Sequence, residues 1–135
     1  MSEATGGCLC GKVRYTAPKD PVFQAVCHCT DCQRQTGTSF SVVVAYPAQA
    51  VTYTGEMKVL HCTGESGGAV IRRFCPECGS PIVSEPATSA GMAFLKAGTL
   101  DDTSNLNPTV HIYTESKQPW VIIPEGAMTF PRGAS

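Results

Sequence analysis

No apolar stretch of this sequence is long enough to cross a bilayer: the longest runs, Val42 to Tyr46 and Trp120 to Ile123, fall far short of the roughly 20 residues a spanning helix needs. No helical membrane span is expected. Excess positive charge is also missing, since 10 Lys and Arg face 11 Asp and Glu for a formal net charge of -1. Arg72-Arg73 is the one adjacent basic pair, and no strip of basic and aromatic residues follows it. Nucleic acid is therefore not an expected partner. Met1-Ser2-Glu3 lacks the basic start and apolar stretch of a secretory signal, which makes a cytoplasmic setting the expectation. Charged residues are scarce at 16%, against 42% hydrophobic, so the chain is too apolar for a disordered polymer. At 135 residues one core is expected, with 1–135 a single domain and 124–135 an irregular tail.

Long helical periodicity is absent as well. The 13 Gly and 10 Pro are spread along the chain and cut it into short runs rich in Val, Ile, Tyr, Phe and Thr. These runs are Lys12 to Thr16, Val22 to Val26, Phe40 to Ala45, Val51 to Tyr53, Lys58 to His61, Ala69 to Phe74, Pro81 to Ser84, Ala93 to Ala97 and Val110 to Tyr113. Such composition favours strands. The best helical segment is Thr30 to Gln35, with Thr30 or Asp31 as cap and an end near Gly37. A mainly β domain of short antiparallel sheets with little helix follows.

What the sequence does have is cysteine. Seven of its eight cysteines fall into Cys8-Leu9-Cys10, Cys27-His28-Cys29-Thr30-Asp31-Cys32 and Cys75-Pro76-Glu77-Cys78. In a reducing compartment such spacing indicates metal rather than disulfides. If Cys8 and Cys10 lie in an extended strand, residues two apart share a face and both sulfurs can meet one ion. Cys75-Pro76-Glu77-Cys78-Gly79 has the spacing of a zinc knuckle, with Gly79 permitting a tight exit. Joined, these four form a closed structural site. Cys27, Cys29 and Cys32 then supply three ligands from one local segment and leave a position open for chemistry. Two alternatives stay open on spacing. Cys62 could close the second site, or Cys8, Cys10, Cys29 and Cys32 could form one four-thiolate site and Cys27, Cys62, Cys75 and Cys78 another.

The ordered motifs carry a resemblance. Gly6-Gly7-Cys8-Leu9-Cys10-Gly11-Lys12-Val13-Arg14-Tyr15, Cys27 through Gly37, and Arg73-Phe74-Cys75-Pro76-Glu77-Cys78-Gly79-Ser80-Pro81-Ile82 resemble the glutathione-dependent formaldehyde-activating enzyme family. His111-Ile112-Tyr113 and Lys117-Gln118-Pro119-Trp120 are similar to its C-terminal elements. The resemblance implies a zinc-organised fold of tent-like β-sheets. It implies two zinc ions per chain: a structural one on Cys8, Cys10, Cys75 and Cys78, and a catalytic one on Cys27, Cys29 and Cys32. It also implies glutathione and formaldehyde as substrates, joined as S-(hydroxymethyl)glutathione or released from it by a carbon-sulfur lyase reaction.

Three thiolates blunt the Lewis acidity of a divalent zinc, so a soft substrate thiol is a more natural fourth ligand than a reactive hydroxide. Around the site, His28 is expected to support the ligands or lie at the surface, Asp31 to cap the helix, and His61 to be an ordinary strand residue. His111 reads equally as structural or functional. Arg34, Arg72, Arg73 and Lys96 are candidates to meet the carboxylates of glutathione, and Gly37 and Phe40 to shape a turn and a core contact. A non-catalytic zinc scaffold and a thiol redox sensor are the competing classes. The fourth ligand of the second site separates them.

Overall fold

A computed structural model describes residues 3–133 of the chain. Strands run over Ala4–Gly7 (β1), Arg14–Ala17 (β2), Phe23–Cys27 (β3), Ser41–Pro47 (β4), Thr52–Thr54 (β5), Lys58–Thr63 (β6), Ala69–Phe74 (β7), Pro81–Pro86 (β8), Met92–Lys96 (β9), Val110–Ile112 (β10) and Met128–Thr129 (β11), with a helix at Thr30–Thr36 (α1). Each expected strand run has a strand at its place. The fold is mainly β.

The strands form two sheets, one in the order β1-β2-β5 and one in the order β11-β10-β3-β4-β9-β8-β7-β6. Most neighbours are antiparallel, but β10 lies parallel to both β3 and β11, so the larger sheet is mixed rather than purely antiparallel. Residues 124–133, expected to be irregular, carry β11. Met128 N–H donates to Thr109 O and Phe130 N–H to His111 O, each at 2.9 Å, because the free edge of β10 offers the segment partners for its backbone. Among the described residues no helix is long and apolar enough to cross a membrane.

Side chains alternate across a strand, and cross-strand partners share a face. On one face of the larger sheet Val44 pairs with Leu95 and Leu95 with Val83, while Tyr46 pairs with Ala93. These residues form the main core with Val13, Tyr15 and Ala17 from the smaller sheet, and Cys8 and Cys75 belong to the same cluster. On the opposite face, Cys27 pairs with Ser41, Val43 with Lys96, Phe94 with Ser84 and Ser84 with Arg72. One face holds the molecule together. The other carries the site.

Candidate metal centre

The ligand sulfurs of Cys8, Cys10, Cys75 and Cys78 lie within 4.8 Å of one another, as do those of Cys27, Cys29 and Cys32. Both groups could hold a metal ion. Cys62 belongs to neither, and the split that mixes Cys29 and Cys32 with Cys8 and Cys10 is not the one the fold makes.

The first group joins two turns. Cys8 and Cys10 do not sit in an extended strand; they belong to the turn between β1 and β2, closed by Cys8 N–H to Val13 O at 3.0 Å and Gly11 N–H to Cys8 O at 3.2 Å. Their sulfurs still approach to 3.6 Å, and Cys10 Sγ lies 3.7 Å from Cys75 Sγ. The second turn, between β7 and β8, is closed by Gly79 N–H to Cys75 O at 2.9 Å and Cys75 N–H to Ser80 O at 3.0 Å. Gly79 takes the left-handed conformation (φ 78) that the knuckle's exit requires. Ser80 Oγ accepts from Leu9 N–H at 3.1 Å and lies 3.2 Å from Cys78 Sγ, which ties the two turns together. Hydrogen bonds from the Ser80 hydroxyl and backbone hold the Cys78 thiol low, at about 5.

The second group is local. Cys27 ends β3, and Cys29 rather than Thr30 or Asp31 caps α1, its sulfur accepting from Cys32 N–H at 3.2 Å. Asp31 lies instead in the first helical turn and lines a cavity. All three cysteines are buried, packed by Ile112 and Tyr113. Hydrogen bonding to Cys29 and Cys32, with burial, pushes Cys27 up. Cys32 is held down as a thiolate by hydrogen bonds from Cys27 and Cys29 and by the charges of Lys96 and Arg72.

His28 is fully buried, not at the surface, and its Nε2 lies 2.9 Å from Nδ1 of buried His111, with the rings stacked. Phe40 packs against the same ring at 5.6 Å. Gln33, on α1, donates to His28 O at 2.8 Å and Ser116 O at 3.1 Å, and accepts from Gln118 at 2.9 Å. Gln118 in turn accepts from Trp120 Nε1 at 2.7 Å. The Lys117 to Trp120 element thus braces the helix that supplies Cys32.

A cavity of about 340 Å³ opens on Cys27, Cys29 and Cys32, with apolar walls from Phe23, Val43 and Phe94. Arg72 and Lys96 line it and are 5% and 6% exposed. Lys96 Nζ donates to Ser41 Oγ at 2.9 Å, and Arg72 donates to Cys62 Sγ at 3.3 Å and Ser84 Oγ at 3.5 Å. The two other candidate cations are elsewhere: Arg34 is exposed on α1, and Arg73 faces the opposite side and pairs with Glu85 at 2.8 Å. His61 is an exposed strand residue. Sequence reasoning placed Tyr113 in a family motif without giving it a role, and it missed Glu65. Tyr113 is the non-glycine residue at positive φ (55) among those described, a strained placement for an aromatic residue, and it lines the cavity. Glu65 lines it too and accepts from Thr30 N–H at 2.6 Å and its hydroxyl at 2.7 Å.

This combination, a mainly β fold with a four-thiol group anchored in its core by Cys8 and Cys75 and a three-thiol group facing a cavity, defines a class of cysteine-rich proteins suited to soft metal ions. The chain belongs to the glutathione-dependent formaldehyde-activating enzyme family, whose description matches residues 3–116. Relatives carrying that name provisionally occur in Phaeosphaeria nodorum (32% identical over 72 residues), Pyrenophora teres f. teres (35% over 72) and Colletotrichum graminicola (27% over 93). The matches cover 53%, 53% and 67% of this chain but only 37%, 37% and 48% of those relatives, so the chain spans less than half of their length. A crystal structure of a Rhodobacter sphaeroides protein shares the fold, with a TM-score of 0.60 at 14% identity over 93% of this chain and 98% of that one.

Proposed function

We propose that the chain is a zinc-dependent carbon-sulfur lyase or thiol-adduct enzyme that forms or cleaves S-(hydroxymethyl)glutathione from glutathione and formaldehyde. Cys8, Cys10, Cys75 and Cys78 hold a structural zinc, and Cys27, Cys29 and Cys32 hold a catalytic one. An all-sulfur donor set in two tight groups suits zinc. The observation that carries the reading is that the three-thiol group faces a cavity, while Cys62 stands apart and receives the Arg72 guanidinium instead of completing the set. That arrangement favours an enzyme over a closed scaffold. The family's name and those of the relatives supply the substrate pair.

Bound at Cys27, Cys29 and Cys32, zinc would supply an exchangeable position that favours the thiolate form of a substrate. The chain's own residues do the rest. Phe23, Val43 and Phe94 exclude water from the place where sulfur and carbon meet. Arg72 and Lys96 set a positive field there. Tyr113 lines the same cavity, and burial pushes its phenol up, which keeps it a neutral hydroxyl. Adduct formation makes one carbon-sulfur bond and moves the thiol proton to the oxygen of the one-carbon group, so no oxidant is required; cleavage reverses both changes. The test is the exchange rate between glutathione plus formaldehyde and their adduct, measured against the spontaneous reaction. Zinc-dependent acceleration is expected, and an equal rate for the wild type and Cys29→Ser would refute the assignment.

A further inference from the structure

Two cations are buried at the cavity without a carboxylate partner. Among the described residues every ion pair involves other groups: Lys12 with Glu77, Arg14 with Asp101, and Arg73 with Glu85. Arg72 and Lys96 bond to neutral hydroxyls and to the sulfur of Cys62, which itself donates to Val70 O, and Arg72 also reaches the thiol of Cys32. A buried charge is strongly disfavoured unless something opposite offsets it. Among the described residues no acidic group forms an ion pair with either cation. Asp31 and Glu65 also line the cavity, but both are half-exposed, and Glu65 is occupied by Thr30. Burial pushes the Lys96 ammonium down and works against the Arg72 guanidinium as well, and the counter-charge that opposes this is the thiol group itself.

Granting the reading that Cys27, Cys29 and Cys32 hold a divalent ion, three thiolates leave one net negative charge against two positive ones. A neutral fourth ligand would leave the buried site with an unmatched positive charge. An anionic one cancels it. We propose that Arg72 and Lys96 are specificity-determining residues that make the fourth position of the second centre selective for an anion, and so select a substrate as its thiolate. Their task on this account is not to grip a carboxylate of the substrate. Small anions and thiols that carry no carboxylate must then show the same dependence on both residues.

The test uses the full chain with cobalt in both groups, because the visible spectrum of cobalt reports a change of fourth ligand while the closed four-thiol group gives a constant background. Azide, 2-mercaptoethanol and imidazole are titrated in turn. The wild type should bind azide and the thiol more tightly than imidazole. Lys96→Met and Arg72→Met should each weaken azide and 2-mercaptoethanol by on the order of tenfold or more, as expected for removing an opposite charge at close range. Imidazole binding should change by no more than a few fold, and Lys96→Arg should restore the anion preference. Unchanged azide and thiol affinities in both Met variants, or an equal loss of imidazole, would overturn the inference and leave the open centre standing. If the Met variants do not fold, the wild type still decides, since imidazole binding as tight as azide overturns the proposal. A wild-type spectrum that none of the three ligands alters would overturn the open centre itself, and this inference with it.

Discussion

Replacing one cysteine in each thiol group with serine should give opposite outcomes, and the fold sets the sizes. Cys10 and Cys75 are 65 positions apart, so a metal joining their turns closes a long loop. By the chain-entropy relation for cross-links, such a closure is worth about 4 kcal/mol at 25 °C. Cys27 to Cys32 spans six residues, for which the same relation gives about 2 kcal/mol. Against a typical domain stability of about 5–15 kcal/mol, the first loss is severe and the second tolerable. Burial widens the gap. Cys75 is 0% exposed within the main core, so Cys75→Ser also buries a hydroxyl there. Cys29→Ser leaves the helix start intact, because serine is a good N-cap and takes over the bond that the Cys29 sulfur accepts from Cys32 N–H. Guanidinium unfolding with zinc counted on the folded protein is the assay. Cys75→Ser should lose on the order of 4 kcal/mol or fail to fold, whereas Cys29→Ser should lose no more than about 2 kcal/mol and retain one zinc of two. Equal destabilisation by the two variants, or the reverse order, would refute the division into structural and exchangeable groups.

Two further substitutions test how the site is held. A Cβ on Gly6 would overlap Tyr15 Oη and Thr99 O, where β1 pairs with β2 and bridges to Leu100. Gly6→Ala should therefore cost about 1–3 kcal/mol in thermal or denaturant unfolding, and an unchanged midpoint would mean that β1 does not pack there. Gln33→Ala should cost about 1–3 kcal/mol by freeing His28 O, Ser116 O and the Gln118 amide. It should also speed chelator removal of zinc from the second group alone and alter Trp120 emission, and uniform zinc loss from both groups would contradict the bracing role.

The strands were legible because β-branched and aromatic residues cluster between Gly and Pro breaks, and that composition marks β7, Ala69–Phe74, at both ends. β1 was not legible. Ala4-Thr5-Gly6-Gly7 has almost no β-forming side chains, and the strand exists because its backbone pairs with Gly7↔Arg14 through Ala4↔Ala17 and fits under Tyr15. β11 escaped for a related reason, since two residues take strand geometry only through the free edge of β10. Local rules also misplaced the helix cap. Thr30 and Asp31 have the usual capping side chains, yet Cys29 takes the role because the same turn must bring its sulfur toward Cys27 and Cys32.

The thiol clusters were readable but the charges beside them were not, and strand parity explains the difference. Cysteine spacing is a local signal, so each cluster could be drawn from the chain alone, whereas joining Cys8 and Cys10 to Cys75 and Cys78 is a contact across 65 positions that spacing left open. Arg72 and Arg73 are adjacent and chemically equivalent in sequence, and nothing local tells them apart. In β7 consecutive side chains face opposite ways. Pairing with Ser84 places Arg72 on the cavity face, and pairing with Val83 places Arg73 on the other, where Glu85 neutralises it. Lys96 is fixed in the same way by Val43, itself opposite Ala25 and two residues from Cys27 on β3. The cations that face the thiols are therefore selected by register across β3, β4, β9, β8 and β7. A one-residue slip of β7 against β8 would turn Arg72 away from the cavity and bring Arg73 to it, separated from Glu85. The selectivity inferred for the second centre depends on sheet register as much as on the three cysteines.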